Sequence, residues 1–275
     1  MTGVQTCALP ICPAAFRQAI EALSELGYNP VSRMTWLQRS ASRIGRKKDV
    51  YLSNADEDVR IELHWKLSGS HFSMPGQMDK VWDRLENRDL AGVPIRSLCF
   101  EDLLIYLCLH GSRHSWERLS WIADVHELIL SEGDVEWEKL WHAAHLVGCE
   151  NVVALGLVLV WRIFGYEPEL VAWSRIKADP VYSEIADEII ERLFSATMEP
   201  MKIGERYLYH LKLRERWRDR LKLHVHYISW YTRLIFRPKQ IDRDAMQLPA
   251  FLSPLYYVTR PVRLAYNYFH RSENS

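Results

Sequence analysis

The chain has 275 residues, of which 48% are hydrophobic, 12% aromatic and 25% charged, and its 35 basic side chains balance 35 acidic ones. This composition excludes wholesale disorder, collagen and low-complexity proteins, and the zero net charge argues against a surface built throughout for nucleic acid. The longest apolar stretch, residues 152–160, is too short to span a bilayer, and the five cysteines without a Cys-x-x-Cys pair fit a reducing compartment, so a cytoplasmic protein with no transmembrane segment is expected.

The first eleven residues, Met1 to Ile11, do not have the pattern of a helix, a strand or a signal peptide. They look like the in-frame translation of a common short-read sequencing adapter, with a GTG codon read as the starting Met. We therefore interpret residues 1–11 as an adapter-like artefact, and we expect the chain to be an N-terminally truncated fragment.

The segment that follows predicts a small α/β unit. Phe16, Ile20 and Leu23 recur at helical spacing and Gly27 ends the run, which predicts a helix over residues 13–26. A period of two then replaces the helical period, and a polar run separates two alternating segments. These patterns predict a short helix over residues 34–42, hairpin strands over residues 49–53 and 59–67, and a loop over residues 68–76.

From residue 100 onward the pattern is helical, and no segment alternates convincingly. The predicted fold class is α+β, with a partial α/β core over residues 12–94 and a larger all-helical domain over residues 95–275. Glycine and proline residues separate the helices, which are predicted over residues 101–110, 116–131, 135–147, 151–164, 180–197, 203–236 (with a break) and 254–271.

The second strand of the hairpin carries the first candidate site. Strand alternation places Glu62, His64 and Lys66 on one face. Two interpretations of this face remain open: it is solvated, or its carboxylate is positioned to hold a divalent metal at a phosphate site. The other face is apolar and predicts a contact with the core through Ile61, Leu63, Trp65 and Leu67.

Two histidines form the second candidate site. His110 and His114 are i,i+4 neighbours if the helix continues that far, and this spacing can bind zinc. No Glu follows His110 and no third ligand is evident, so two histidines hydrogen-bonded locally at a helix end are the alternative. In the next helix, Asp124 lies near the apolar stripe and needs a cationic partner, for which Arg113, His114 and Arg118 are the candidates.

A basic segment towards the end of the chain is the third candidate. Between Lys202 and Arg243, basic residues outnumber acidic ones by roughly three to one, and aromatic residues alternate with them. Such a segment can bind nucleic acid or an anionic membrane surface, or it can be a solvated helix face. Nucleic acid is not the favoured partner, because the chain as a whole is neutral.

Three segments, in this order, resemble one protein family: Ile61 to Trp65, Glu101 to His114, and Arg118 to Val125. It is the bacterial, largely uncharacterised nucleotidyltransferase-like family, which has a polymerase-β-type core. The resemblance covers nearly everything after residue 11 and implies metal-dependent transfer of a nucleoside monophosphate from an NTP to an acceptor. The tail is similar to the family's closing pattern at Pro238, Asp242, Leu248-Pro249 and Leu255 to Leu264.

The resemblance implies Mg²⁺ as cofactor and an NTP as substrate. In the superfamily a Gly-Ser turn holds the triphosphate, while an Asp-x-Asp strand and a third acid on a neighbouring strand hold two Mg²⁺ ions. The third acid maps onto Glu62, with His64 beside it. Nucleotide or phosphate contacts are expected from Lys66 on the strand and from the residues that match the family's helical motif, His110, His114, Arg118 and Asp124, with Arg118 as the leading phosphate contact.

The chain departs from the family pattern at its most specific element. No Gly-Ser turn followed by an Asp-x-Asp strand is found, and Asp56-Glu57-Asp58 lies in a polar hairpin turn. Family order places both elements before the first helix, where the adapter-like residues lie, so little or no catalysis is expected. The alternative function is a non-catalytic binding or regulatory protein that uses the helical domain and its basic segment. The sequence does not indicate the acceptor, the nucleotide or the oligomeric state.

Overall fold

The computed structural model describes residue 11 and residues 15–31, 49–54, 60–64, 78–195, 201–246 and 249–271. The chain divides into two compact units, residues 1–219 (unit 1) and residues 220–275 (unit 2). Within the described ranges, no helix combines the length and the apolar character needed to cross a membrane. The domain boundary predicted near residue 94 stays a prediction.

Unit 1 begins with the predicted helix and hairpin, and a short strand that was not predicted extends the hairpin to a three-stranded sheet. Helix α1 spans Phe16–Glu25, and the strands β1 (Asn29–Pro30), β2 (Asp49–Ser53) and β3 (Arg60–His64) pair in the order β1-β2-β3. The short helix predicted over residues 34–42 and the loop over 68–76 lie outside the described residues. The α+β fold class is therefore confirmed, with this sheet ahead of a larger helical part.

One face of the β2–β3 hairpin forms a small core with α1. Val50 pairs with Leu63 and Leu52 with Ile61, and these side chains pack around Phe16. Phe16 is buried because it lies at the start of the apolar stripe of α1, where that helix meets the sheet. The apolar face of β3 thus points to the core at Ile61 and Leu63, as the alternation predicts, whereas Trp65 and Leu67 lie outside the described residues.

A second hairpin follows that the sequence pattern does not predict. After a 3-10 helix (Met78–Arg84), β4 (Glu86–Leu90) and β5 (Val93–Ser97) pair across a two-residue turn. Ala91 and Gly92 both have positive φ, 53° and 83°, which is typical of the turn that best fits the twist of a tight hairpin. The strands carry charged residues on exposed positions and few buried apolar ones, so their period-two signal is weak.

The remaining described part of unit 1 is helical. Each predicted helix is present, although α2 continues to Arg113 and α7 ends at Phe194 rather than residue 197. Helix α6 was not predicted, since it is only six residues long. The helices are α2 (Phe100–Arg113), α3 (Leu119–Glu132), α4 (Trp137–Val147), α5 (Glu150–Phe164), α6 (Trp173–Ala178), α7 (Pro180–Phe194) and α8 (Ile203–Lys212).

Helix α5 is the centre of the main core. Residues 152–160 are all buried, so every side of the helix is covered along this stretch. It packs against α2, α3, α4, α6 and α7. The longest apolar run of the sequence is therefore the core helix that an all-round hydrophobic pattern predicts.

The first turn of α5 is capped by a carboxylate from the segment after α8. Glu215 accepts a hydrogen bond of 2.6 Å from the backbone amide of Asn151, and the Tyr182 hydroxyl donates to the Asn151 side chain at 2.7 Å. Burial raises the pKa of the Glu215 carboxyl to about 7; the bond from Asn151 opposes this shift, and nearby Glu150 adds to it.

The raised pKa of Glu215 predicts a pH-dependent stability. The folded chain holds this proton up to about pH 7, whereas an unfolded Glu releases it near pH 4.3, so folding loses stability as the pH rises between these values. We expect the parent chain to lose about 2 kcal/mol in the free energy of unfolding over this pH range, and we expect Glu215→Gln not to show this loss.

Urea unfolding at a series of pH values between about 5 and 8 measures this effect. The matched control is Glu188→Gln, which changes an exposed carboxylate on α7. The control should follow the parent chain at every pH. A constant difference between Glu215→Gln and the parent across the range would contradict the prediction.

Unit 2 contains most of α9 together with two further helices. Helix α9 spans Trp217–Phe236, and the break predicted within residues 203–236 separates it from α8. Helix α10 (Gln240–Met246) and a 3-10 helix (Ala250–Leu255) precede α11 (Tyr256–Arg271).

A buried ion cluster holds unit 2 together. Asp242 is 2% exposed and accepts from Arg260 Nη1 at 2.5 Å, from Arg263 Nε at 3.0 Å and from the Lys239 amide at 2.7 Å. Arg260 also donates to the carbonyl of Leu234 at 2.9 Å. One carboxylate thus joins α10 to α11, and Arg260 extends the connection to α9.

Candidate functional site

The polar face of β3 brings the first two predicted site residues together. Nε2 of His64 lies 3.1 Å from Oε1 of Glu62, and the cross-strand neighbours are Tyr51 opposite Glu62 and Asp49 opposite His64. Glu62 is partly buried and His64 is buried. Lys66, predicted on the same face, lies outside the described residues.

The free edge of β3 meets the chain that leads into α1. The amide of Ile11 donates a hydrogen bond of 3.1 Å to the carbonyl of His64. Since β2 occupies the other edge of β3, Ile11 lies on the side of β3 away from the rest of the sheet. The backbone just before α1 is therefore a neighbour of the strand that carries Glu62.

The imidazole of His64 has further bonding capacity. Within the described part of the chain, Nδ1 of His64 has no hydrogen-bond partner, although it is buried. Buried polar atoms normally have a partner, so this atom marks a place for one more polar group. Glu62 and His64 alone do not make a magnesium site: that ion prefers several oxygen ligands, and the described residues contain no group of three potential metal ligands.

The end of α2 and the start of α3 form the second group. The rings of His110 and His114 lie 5.1 Å apart, and their centres lie 5.4 and 5.2 Å from the ring of Trp121. The guanidinium carbon of Arg118 lies 5.6 Å from the same indole ring. Because α2 continues through residue 111, the two histidines are i,i+4 neighbours, but among the described residues no third ligand completes a zinc site.

A tightly packed turn sets the positions of these side chains. Trp116 is fully buried and donates its amide to the carbonyl of Gly111 at 2.8 Å. Ser115 and Trp116 both have φ of 54°, a conformation that non-glycine residues rarely adopt. The buried indole fixes this turn; His114 lies directly before it, and Arg118 is two residues after Trp116.

Asp124 has a different environment from the one expected. In the described part of the chain it forms no ion pair, so the expected pairing with Arg113, His114 or Arg118 is not found. The side chain is exposed on α3, and partial desolvation raises the pKa of its carboxyl. An exposed carboxylate does not require a cation, and the predicted nucleotide contact of Asp124 stays a prediction.

One buried polar group was missed by the sequence analysis. Asp102 is 2% exposed and accepts a forked pair of bonds from Arg84, at 2.8 Å from Nη2 and 3.1 Å from Nε. Cys99 donates to the same carboxylate at 3.3 Å, and burial raises the pKa of this thiol to about 12, which makes it a poor nucleophile. The signal in the sequence was ambiguous, since Glu101-Asp102 is typical of any helix start.

The structure therefore gathers five of the seven predicted site residues into two groups. One is the pair Glu62 and His64 on β3, and the other is the cluster of His110, His114 and Arg118 around Trp121. Both lie in unit 1.

Comparison with known proteins gives one family. A family model described as "Uncharacterised nucleotidyltransferase" matches residues 9–165, which include both groups of site residues. Neither the curated proteins nor the solved structures contain a match. The match ends before the basic segment, so the tail lies outside it. Because the matched residues make up more than half of the chain and carry the site, the chain belongs to this family of uncharacterised nucleotidyltransferases.

Proposed function

We propose that this protein, in a form that carries all three metal carboxylates, catalyses Mg²⁺-dependent transfer of a nucleoside monophosphate from an NTP to an acceptor. The observation that carries the proposal is the position of Glu62. Its carboxylate lies on the polar face of β3, and the backbone amide of Ile11 bonds to the free edge of that strand. Ile11 is the last residue of the adapter-like segment, but this bond involves only its backbone and so does not depend on its side chain. Residues on a strand leading into α1 would lie beside Glu62, which is the arrangement that carboxylates on adjacent strands need to share metal ions.

Each member of the β3 pair has a role in this proposal. Glu62 is the third metal carboxylate, and His64 holds it in place through the 3.1 Å contact. When bound, Mg²⁺ would offset the charge of the phosphates and of the attacking oxygen. Glu62 is the carboxylate that would bind this ion, and the described residues contain no group of three potential ligands to complete the site.

The second group suits the nucleotide. Arg118 is exposed and lies against Trp121, which leaves a cation available for phosphate oxygens beside an aromatic surface. His110 and His114 contact the same indole ring and add hydrogen-bonding nitrogens. Lys66 and Asp124 remain proposed contacts by family resemblance.

This polypeptide is proposed to have little or no activity. Its sequence contains no Gly-Ser turn followed by an Asp-x-Asp strand, so two of the three expected metal carboxylates have no counterpart. Incubation with labelled NTPs, Mg²⁺ and candidate acceptors, including sugars, proteins and RNA, should give transfer no faster than the protein-free control. Turnover at an enzymatic rate would contradict this proposal.

The role of Glu62 can be tested in a completed chain. If the genomic reading frame upstream of Pro13 encodes the Gly-Ser turn and the Asp-x-Asp strand, the chain that includes them should transfer nucleotide. In that chain Glu62→Gln should lower kcat by about 10²- to 10³-fold, because a neutral amide no longer offsets the metal charge. The matched control is Glu86→Gln on β4, an exposed carboxylate.

The outcomes separate the proposals. If Glu62→Gln keeps full activity while the completed chain is active, the metal role of Glu62 is wrong. An intact upstream frame without the acids would instead favour the non-catalytic binding or regulatory protein.

A further inference from the structure

Helix α9 leaves a continuous apolar stripe in solvent. Five exposed apolar residues of α9 within unit 2 are spaced by four, three, three and four positions, which places them on one side of the helix. All of them are at least one-third exposed, and Ile228 is 66% exposed. We call this the α9 stripe: Leu221, Val225, Ile228, Tyr231 and Ile235.

The stripe faces away from the packed side of α9. Leu223 is fully buried, and helical geometry places it on roughly the opposite side of the helix from the stripe. Helix α11 shows the same feature, since Val258, Val262 and Tyr266 recur every four residues and are 60–66% exposed. Unit 2 thus presents two exposed apolar stripes, which is unusual for a surface in contact only with water and marks an interaction site.

Unit 2 is also strongly cationic. Residues 220–275 contain nine Lys and Arg residues but only three Asp and Glu residues, although the whole chain is neutral. One of the three acids, Asp242, is buried between two arginines and offers little negative charge to the surface. Exposed cations accompany the stripes at Lys222, Arg233, Arg237, Lys239 and Arg243.

We propose that unit 2 binds the surface of an anionic lipid bilayer. The aliphatic side chains of the α9 stripe enter the boundary between headgroups and acyl chains, and the long cationic side chains reach the lipid phosphates. Tyr231 and Tyr266 suit this interface, since each has an apolar ring and a polar hydroxyl.

Other occupants fit the surface less well. A contact between the unit 2 surfaces of two copies would bring two cationic surfaces together, and the exposed acids of unit 2 are too few to offset the repulsion. Nucleic acid would satisfy the cations and the aromatic rings, but it offers nothing to exposed leucine, valine and isoleucine side chains. This inference does not depend on the proposed transferase activity.

The test is vesicle flotation with the full chain. We compare vesicles of phosphatidylcholine with vesicles that contain about 30% phosphatidylglycerol. The chain should float with the anionic vesicles, should remain largely unbound with the neutral ones, and should dissociate as NaCl is raised, because salt screens the charges. Equal binding to both vesicle types, or none to either, would overturn the proposal.

Substitution of the stripe distinguishes it from charge alone. The triple variant Leu221→Gln, Val225→Gln and Ile228→Gln should bind anionic vesicles at least roughly tenfold more weakly. The matched control is Leu26→Gln, Leu130→Gln and Val171→Gln, three exposed apolar residues of unit 1, and it should bind like the parent. Circular dichroism verifies that both variants are folded.

The rival occupants give distinct results. Parent-like vesicle binding by the folded stripe variant would overturn the role of the stripe. Tight binding of a single-stranded oligonucleotide without vesicle binding would overturn the lipid proposal. A dimer in sedimentation velocity that the stripe variant abolishes, again without vesicle binding, would also overturn it.

Discussion

Gly111→Ala should lower the free energy of unfolding of unit 1 by about 3 kcal/mol, at the upper end of what overpacking of a core costs. A Cβ at this position would lie 2.3 Å from two carbons of the Trp116 ring. Alanine is favoured over glycine inside a helix by up to about 1 kcal/mol, so propensity alone predicts the opposite sign. The steric clash outweighs this preference because Trp116 is fully buried and cannot move away without disturbing the side chains packed around it.

The control for this substitution is Gly204→Ala in α8, where an added Cβ would meet no atom within 4 Å. That variant should be unchanged or slightly more stable, as propensity predicts. Urea unfolding followed by circular dichroism measures both variants. A change of less than about 0.5 kcal/mol for Gly111→Ala would show that the turn after α2 repacks freely and does not fix the positions of His114 and Arg118.

Asp242→Ala should destabilise unit 2 by about 3 to 5 kcal/mol, because it leaves the buried Arg260 without its carboxylate. The Leu234 carbonyl still accepts from Arg260, but a neutral acceptor does not offset a buried charge. The control is Asp244→Ala, which removes an exposed carboxylate two residues away on the same helix. Limited proteolysis should release fragments of unit 2 from the first variant and leave the second intact.

The same cluster predicts acid sensitivity in unit 2. Desolvation raises the pKa of Asp242, but the bonds from the Lys239 amide, Arg260 and Arg263 outweigh it, so the pKa is lowered overall. This stability is present above the unfolded pKa of about 3.9 and is lost as the pH falls through the lower folded value. Parent-like stability of Asp242→Ala near neutral pH would show that the cluster contributes nothing.

Periodicity predicted those elements whose side chains face a core. Helix α1 and the β2–β3 hairpin follow this rule, and strand alternation alone placed Glu62 and His64 on one face. The β4–β5 hairpin was missed because its turn and backbone pairing stabilise it, and neither requires apolar residues at alternate positions. Helix α6 was missed because six residues are too few to define a period.

The parts of the site that sequence did not predict depend on contacts between distant residues. Arg84 and Asp102 are 18 residues apart, and no local rule pairs them. The conformation of the turn at Ser115 and Trp116 could not be predicted either. Positive φ values are unfavourable for serine and tryptophan, and burial of the indole ring stabilises them here. The edge contact between Ile11 and β3 requires the sheet order, which no periodic pattern contains.

The enclosure of α5 also determines how unit 1 opens. The amides of residues 152–160 are hydrogen-bonded within a helix whose every side is covered, so solvent reaches them only when the surrounding helices separate. Hydrogen exchange at this stretch therefore reports global unfolding of unit 1, whereas amides near exposed helix ends exchange through local fraying. The most apolar run of the chain is thus the natural reference point for its conformational dynamics.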